Sequence, residues 1–170
     1  MCLGAFQGFL GWYMVKSGLV DRPDVSHFRL AMHLTTAFIT FAYTFWVALD
    51  LLYPSRKPIE ASFRNLIRWG YAALLIQIVW GAFVAGLDAG WIHNHWPFMS
   101  EGKLMHETVT QELSPVWKNF VEGKSGVQFV HRYMAYVVVI FIFIIAWKSR
   151  KMTLTLPQKK GISWLVVLVL

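Results

Sequence analysis

The sequence predicts an all-α protein, a polytopic bundle of membrane-spanning helices, and three observations support this class. Of its 170 residues 56% are hydrophobic, which is more than one soluble domain of this length can bury. Apolar segments alternate along the chain with short charged connections. The basic residues behind the net charge of +7 cluster in those connections, a pattern typical of membrane topology signals and not of nucleic-acid binding.

Five apolar segments follow one another, at 1–15, 28–52, 66–87, 127–147 and 162–170. Each of the middle three reaches the roughly 20 residues that a helix needs to cross about 30 Å of hydrocarbon. The first and last are too short, and the first lacks the basic start and cleavage site of a signal peptide. We therefore expect the chain to be part of a longer polytopic protein.

The lysines and arginines predict the orientation of the helices in the membrane. The first connection and the long third one, 88–126, hold as many or more acidic residues than basic ones and are expected outside. Within the long connection, 103–123 fits either a short interfacial helix or a solvated loop. The second and fourth connections are rich in basic residues and are expected on the cytoplasmic or matrix side: Arg56, Lys57, Arg64, Arg68, Lys148, Arg150, Lys151, Lys159 and Lys160.

Two segments indicate an internal repeat: "GAFQGFLGW" in the first helix and "GAFVAGLDAGW" in the third. Each is followed by an outer connection and a returning helix with a histidine near its start. Ser26 is expected to cap one returning helix, and Ser125 with Gln128 has the spacing of a capping box for the other. His33 and His131 then lie at matching depths, on the order of 10 Å inside their helices.

A histidine inside a membrane helix marks a pathway, a relay or a cofactor, because facing lipid is costly. For one such histidine, a simple hydrogen bond to a neighbouring helix is an equally good interpretation. The surrounding residues favour a cofactor. Arg29 lies one turn outward of His33, Arg132 follows His131, and an alanine lies one turn deeper than each histidine. Haem fits this pattern, with a histidine on the iron and the arginines on the propionates.

Three segments, "SHFRLAMHL", "GAFVAGLDAG" with the "NHWPFM" behind it, and "GVQFVHRYMAY", resemble corresponding parts of the haem A synthase family. These membrane enzymes complete the haem of cytochrome oxidase. The resemblance implies an eight-helix protein built from two pseudo-twofold four-helix halves. Residues 1–53 would be the last two helices of the N-terminal half, 54–65 a linker on the cytoplasmic or matrix side, and 66–170 the first helices of the C-terminal half.

The resemblance implies an oxidoreductase that converts the C8 methyl group of haem O to a formyl group by successive hydroxylations. His33 matches the family histidine that is implied to hold the substrate haem, and His131 matches the one implied to hold a haem B cofactor. Arg29 and Arg132 would contact the propionates. The family's important carboxylate and its other two histidines would lie outside this chain. No catalytic residue is therefore assigned, and the chain alone is expected to be inactive.

The implied partners are haem O synthase as the donor of haem O, the cytochrome oxidase assembly machinery and the lipid bilayer. Nucleic acid is not expected, and a homo-oligomer is left open. The expected location is the bacterial cell membrane or the mitochondrial inner membrane, with the haem sites near the outer face.

Two other classes stay open. A b-type membrane cytochrome that only transfers electrons would share the histidines, arginines and small residues. A transporter would explain a duplication, but its helices more often carry breaks at mid-membrane. The remaining histidines are expected to have lesser roles: His93 and His95 in an aromatic interfacial loop, His106 in solvent, and His27 as a cap or an interface residue.

Overall fold

The computed structural model describes residues 2–16, 25–54 and 59–169, and the regular elements within these ranges are helices, which confirms the all-α prediction. The predicted topology signals at Asp21, Arg22, Asp24, Arg56 and Lys57 lie outside the described residues. The helices are α1 (Cys2–Lys16), α2 (His27–Leu52), α3 (Ala61–Gly86), α4 (Asn119–Glu122), α5 (Lys124–Ser149) and α6 (Leu156–Val167). Three short 3-10 helices lie in the long connection between α3 and α4, at Ala89–Trp91, Glu107–Thr110 and Val116–Lys118.

Helices α2, α3 and α5 are each 26 residues long and apolar enough to cross a membrane. They confirm the three predicted spans, with bounds that differ by up to five residues. Helix α3 begins at Ala61, so residues 61–65 of the predicted linker are helical. Phe63 is buried in this extra turn, and packing of that kind, more than local propensity, stabilises the ends of helices.

The second half of α2 presents large apolar side chains at its surface. Soluble monomers rarely expose so extensive an apolar patch, whereas in a membrane lipid or further helices cover such a face. The exposure therefore agrees with the predicted bilayer setting. The exposed side chains include Phe38, Ile39, Phe41, Tyr43, Phe45, Trp46, Val47, Leu49, Leu51 and Leu52.

One compact unit comprises Met1–Arg56 together with Ile78–Arg132. Small residues let its helices approach closely: a Cβ added to Gly86 would lie 2.7 Å from the Cα of His27. The first turn of α2 and the last turn of α3 are therefore in backbone contact. The buried core of this unit joins α2, α3 and α5 through Ala31, Ala82, Phe83 and Val127.

The other compact unit comprises Lys57–Gln77 and Tyr133–Leu170. Here the lower parts of α3 and α5 pack through Gly70, where an added Cβ would lie 3.4 Å from Cδ1 of Ile145. An alanine there would make an ordinary van der Waals contact, and Ile145 is buried.

The predicted caps are only partly right. Ser26 does precede α2, but its side chain makes no capping hydrogen bond. Helix α5 begins one residue before Ser125, whose backbone N–H donates to Oε1 of Glu112 at 3.1 Å. The side-chain amide of Gln128 donates to the carbonyl of Ile92. The predicted capping box is therefore wrong, because a distant carboxylate replaces the local cap.

The segment 103–123 is a folded connection of short helical turns built around the fully buried Asn119, and not one continuous helix or an irregular loop. Its place at the membrane interface stays a prediction. Oδ1 of Asn119 accepts from the backbone N–H of Leu113 at 2.8 Å. Its amide nitrogen donates to the carbonyls of Leu113 at 2.8 Å and Val116 at 2.9 Å. The buried amide thus has its bonding capacity largely satisfied, which holds the turns together.

Candidate functional site

The His33 side chain lies six residues after the start of α2, roughly 9 Å along the helix, and is partly buried. Gln7 on α1 reaches it across the helix pair. The Gln7 amide nitrogen is 3.1 Å from Nδ1 and 3.4 Å from Nε2 of the ring, and it donates to the His33 carbonyl at 3.0 Å. A neighbouring helix therefore fixes both the ring and the backbone of His33.

The edge of the His33 ring packs against a glycine of α1. A Cβ added to Gly11 would lie 3.1 Å from Cε1 of His33, closer than an ordinary contact. Gly4 and Gly8 on the same helix have nothing within 4 Å of an added Cβ. Gly11 is therefore the position on α1 where only glycine leaves room for the ring in this orientation.

His131 repeats this arrangement on α5. It lies seven residues after the helix start, about 10 Å along the axis, and is partly buried. A Cβ added to Gly81 of α3 would lie 3.0 Å from its Cε1. The predicted matching depths of His33 and His131 are thus confirmed to within one residue, and each ring faces a glycine of the preceding long helix.

The register of the repeat differs from the predicted one. The two "GAF" triplets align Gly81 with Gly4, whereas the ring contacts align Gly81 with Gly11. The shift is seven residues, or about two helical turns, so both registers place a glycine on the same helix face. The identical triplets therefore suggest the wrong register. In the corrected register Gln77 corresponds to Gln7, and the shared pattern is glutamine, three residues, glycine.

Ala37 and Ala135, one turn deeper on the same helices, were expected to leave room beside the rings, and this stays a prediction. The residues that lie against Cε1 are Gly11 and Gly81 on the neighbouring helices. Spacing within one helix could not reveal this contact. The repeated glutamine and glycine pattern was the available signal.

Arg29 lies one turn nearer the start of α2 than His33. Its guanidinium carbon is 5.1 Å from the centre of the Tyr13 ring on α1, within the range of a cation–π interaction. The guanidinium is thus held near the end of α1 and the start of α2, and its predicted contact with a propionate stays a prediction.

Arg132 has a structural role that its position beside His131 did not predict. Its guanidinium donates to three backbone carbonyls of the long connection, those of His93, His95 and Phe98. His93 has a positive φ of 51°, so the chain turns sharply there. Arg132 therefore fastens the aromatic loop to α5, and its predicted propionate contact stays a prediction beside this role.

A polar network below that loop centres on Ser125. Its hydroxyl lies 2.9 Å from Nε2 of His93, accepts from the Thr108 hydroxyl at 2.8 Å and donates to a Glu112 oxygen. Nδ1 of His106 lies 2.8 Å from the Thr108 hydroxyl, and that ring is partly buried. The expectation of a solvated His106 is therefore wrong.

His27 is an interface residue, one of the two roles expected for it. Its Nε2 lies 3.0 Å from the carbonyl of Val121 in the long connection, and its ring meets Phe83 edge to face at 5.2 Å. Trp80 also donates to the connection, at the Phe120 carbonyl, 2.9 Å away. These contacts join the start of α2 and the last turns of α3 to the folded connection.

The donor set of this unit fits haem better than a bare metal ion. The described residues contain no group of three or more histidine, cysteine, aspartate or glutamate side chains that could hold a metal. Structural or catalytic zinc takes three or four protein ligands, whereas a porphyrin supplies four itself and needs only one or two axial side chains. One held imidazole on each helix pair, His33 and His131, meets that need.

These features define a class, a multi-pass integral membrane protein with a paired arrangement of histidines held against glycines. Comparison with known proteins specifies it further. The chain belongs to the COX15-CtaA family, described as cytochrome oxidase assembly protein, whose family model matches residues 1–170.

Curated relatives named "Heme A synthase" support this assignment. The chain is 62% identical to the protein of Flavobacterium johnsoniae over 170 residues, which is 99% of this chain and 50% of the relative. It is 58% identical to that of Flavobacterium psychrophilum over 98% of the chain and 49% of the relative. It is 47% identical to the protein of Rhodospirillum centenum over 86% of the chain and 39% of the relative. The chain thus spans about half the length of the Flavobacterium relatives, and no solved structure matches it significantly.

Proposed function

We propose that this chain supplies two histidine sites of a haem A synthase, which oxidises the C8 methyl group of haem O to a formyl group. The observation that carries the proposal is the repeated contact of a membrane-helix histidine with a glycine, at His33 with Gly11 and at His131 with Gly81. Such a contact restricts ring rotation, as an axial ligand requires. The curated relatives are named for synthesis of haem A, and the oxidation of haem O is what the family resemblance implies.

The two sites have different tasks in this proposal. His33 would hold the substrate haem O, and His131 would hold a haem B cofactor. Haem B would supply electron transfer, and histidines outside this chain would complete each site. Within this chain, Gln7 and Gly11 orient the substrate-side imidazole while Gly81 orients the other.

Arginines hold the acidic edge of each haem in this proposal. Arg29, one turn outward of His33, accounts for a propionate on the substrate side, since guanidinium binds carboxylate with two parallel hydrogen bonds. Arg132 holds a propionate of the haem at His131. It uses the N–H groups that do not donate to the loop carbonyls. A guanidinium carries five N–H donors, so both roles are chemically compatible.

The proposed setting follows the charge asymmetry. Arg64 and Arg68 at the start of α3, with Lys148 and Lys151 at the end of α5, lie on the cytoplasmic or matrix side. Both haem sites then lie near the outer face of a bacterial cell membrane or a mitochondrial inner membrane. Residues 1–53 complete the N-terminal half of the whole protein, 54–65 link the halves, and 66–170 begin the second half.

The proposed partners follow from the reaction. Haem O synthase delivers the substrate, and the product passes to the assembly machinery of cytochrome oxidase. Activity requires a protein of the same length as the relatives, because this chain alone lacks the second axial ligands and is proposed to be inactive.

Pigment analysis of the protein at the length of its relatives tests this function. Haems extracted after co-expression with a haem O synthase are separated by chromatography. We expect haem B together with haem O and its oxidised product. A single haem type that never changes would indicate a cytochrome that only transfers electrons, and absence of haem would contradict both functions.

A further inference from the structure

The side-chain amide of Gln7 is only half satisfied in the structure. Its nitrogen lies 3.1 Å from Nδ1 and 3.4 Å from Nε2 of His33, and it donates to the His33 backbone carbonyl at 3.0 Å. Its oxygen, Oε1, is buried and has no hydrogen-bond partner. A buried amide oxygen without a partner is unfavourable, so a different arrangement that satisfies it would be stabilised.

The amide orientation has a consequence for His33. An amide nitrogen only donates, so it needs a ring nitrogen that accepts, and the nearer one is Nδ1, at 3.1 Å against 3.4 Å for Nε2. With Nδ1 as the acceptor, the proton of the neutral imidazole lies on Nε2. An imidazole that binds iron through Nε2 needs the lone pair of that atom and carries its proton on Nδ1. The observed Gln7 orientation therefore matches an imidazole that is not an iron ligand through Nε2.

We propose that Gln7 is a positioning residue for His33, and that its amide reverses when His33 binds haem iron. The reversed amide places Oε1 against the Nδ1–H group, which gives the buried oxygen its missing partner. Reversal also gives up the bond to the His33 carbonyl and moves the amide nitrogen into the buried position of Oε1, so iron binding by His33, and not the amide alone, favours it. This inference rests on the proposed function of His33 as an axial ligand.

The reversed amide also tunes the iron. An acceptor on Nδ1–H makes the imidazole a stronger electron donor and so favours the ferric state. The potential of the haem should follow the strength of the acceptor. A carboxylate at position 7 should lower the midpoint potential, and an apolar side chain of similar size should raise it.

The test compares Gln7→Glu and Gln7→Leu in the protein at the length of its relatives. The readouts are haem retained through purification and the midpoint potential of the haem that is absent from a His33→Ala variant. We expect potentials in the order Glu below Gln below Leu, and a loss of retention of about tenfold or more in Gln7→Leu. Gln77→Leu is the matched control, since Gln77 stands one turn before Gly81 as Gln7 does before Gly11, and it should leave this potential unchanged.

The outcomes separate this inference from the proposed function. If His33→Ala loses no haem, the proposed ligand is wrong whatever Gln7 does. If His33→Ala loses a haem while both Gln7 variants keep the wild-type potential and retention, the role of Gln7 alone is overturned. If Gln7→Leu does not fold, Gln7→Glu, which has nearly the same shape, decides through its potential, and an unshifted value overturns the inference.

Discussion

Gly11 of α1 lies against Cε1 of His33 in α2, at a separation where an added Cβ would be 3.1 Å from that carbon. Gly81 has the same relationship to His131, at 3.0 Å. Few real Cβ atoms make contacts so close, so either ring would have to move to admit an alanine. The orientation of two membrane-embedded imidazoles thus depends on the absence of a single methyl group on each neighbouring helix.

We predict that Gly11→Ala weakens haem binding at His33 without unfolding the protein. Alanine in a helix is favoured over glycine by about 0.5–1 kcal/mol. Overpacking against the ring costs about 1–3 kcal/mol, and displacing the ring relieves most of it. Helix stability therefore changes little while the ligand geometry changes. Haem content per protein and the thermal unfolding midpoint, measured together, check this.

Gly8→Ala is the control for that variant, because nothing lies within 4 Å of the added Cβ. It should retain haem like the wild type. Gly81→Ala should show the reciprocal effect, with loss confined to the haem at His131. Equal haem retention in Gly8→Ala and Gly11→Ala would contradict the packing argument.

Arg132→Ala should loosen the aromatic loop. The variant loses the donors to the carbonyls of His93, His95 and Phe98. Bonds from a charged donor contribute about 1.5–3 kcal/mol each when buried, but this side chain is partly exposed, so a total of about 1–3 kcal/mol is expected. Proteolysis or hydrogen exchange within residues 91–99 should therefore accelerate.

Arg132→Lys separates charge from geometry, since lysine keeps the charge but cannot span three carbonyls from a planar fork. It should behave more like the alanine variant than like wild type. Arg68→Ala, where the guanidinium meets an exposed Asn65 at 3.4 Å, should leave the loop unchanged. Wild-type loop protection in Arg132→Ala would refute the fastening role.

The loop should also weaken at acidic pH. Burial lowers the pKa of His93 below 6.5, the positive charges of His106 and Arg132 lower it further, and Glu112 opposes them. The folded loop thus binds a proton less readily than the unfolded chain, so stability is fully present above about pH 6.5 and falls as the pH drops below it. Unfolding midpoints at pH 8 and pH 5 should differ more for the wild type than for His93→Gln. A difference of the same size in both would exclude His93 as the cause.

Arg29 variants test the propionate contact. Arg29→Lys keeps the charge but loses the planar two-point grip on a carboxylate, and Arg29→Ala loses both. We expect weaker binding of haem O in Arg29→Lys and still weaker binding in Arg29→Ala, with folding largely intact. Haem O titration into purified protein measures this. Wild-type affinity in a well-expressed Arg29→Ala variant would leave Arg29 as a surface charge stacked on Tyr13.

Hydropathy and charge sufficed to predict the spans, because a membrane helix must be long and apolar throughout. The depths of His33 and His131 were likewise predictable, since position along a helix follows from residue count. The partner of each ring was not. Gly11 and Gly81 lie on other helices, and spacing along one helix carries no information about which face of its neighbour it meets.

The folded connection was the least predictable part. The segment 103–123 has no strong periodicity, so its sequence pattern could not distinguish a helix from a loop. Its structure depends on contacts distant along the chain, such as Glu112 with Ser125 and Arg132 with the carbonyls of residues 93–98. A carboxylate that substitutes for a helix cap from thirteen residues away leaves no local signature.

The most direct measurement is the haem composition of His33→Ala and His131→Ala variants of the protein at the length of its relatives. The proposed division of tasks predicts that His33→Ala fails to hold and convert haem O while keeping most of its haem B. It predicts that His131→Ala chiefly loses haem B. Loss of both pigments to the same extent in both variants, at normal expression, would contradict two separate histidine sites.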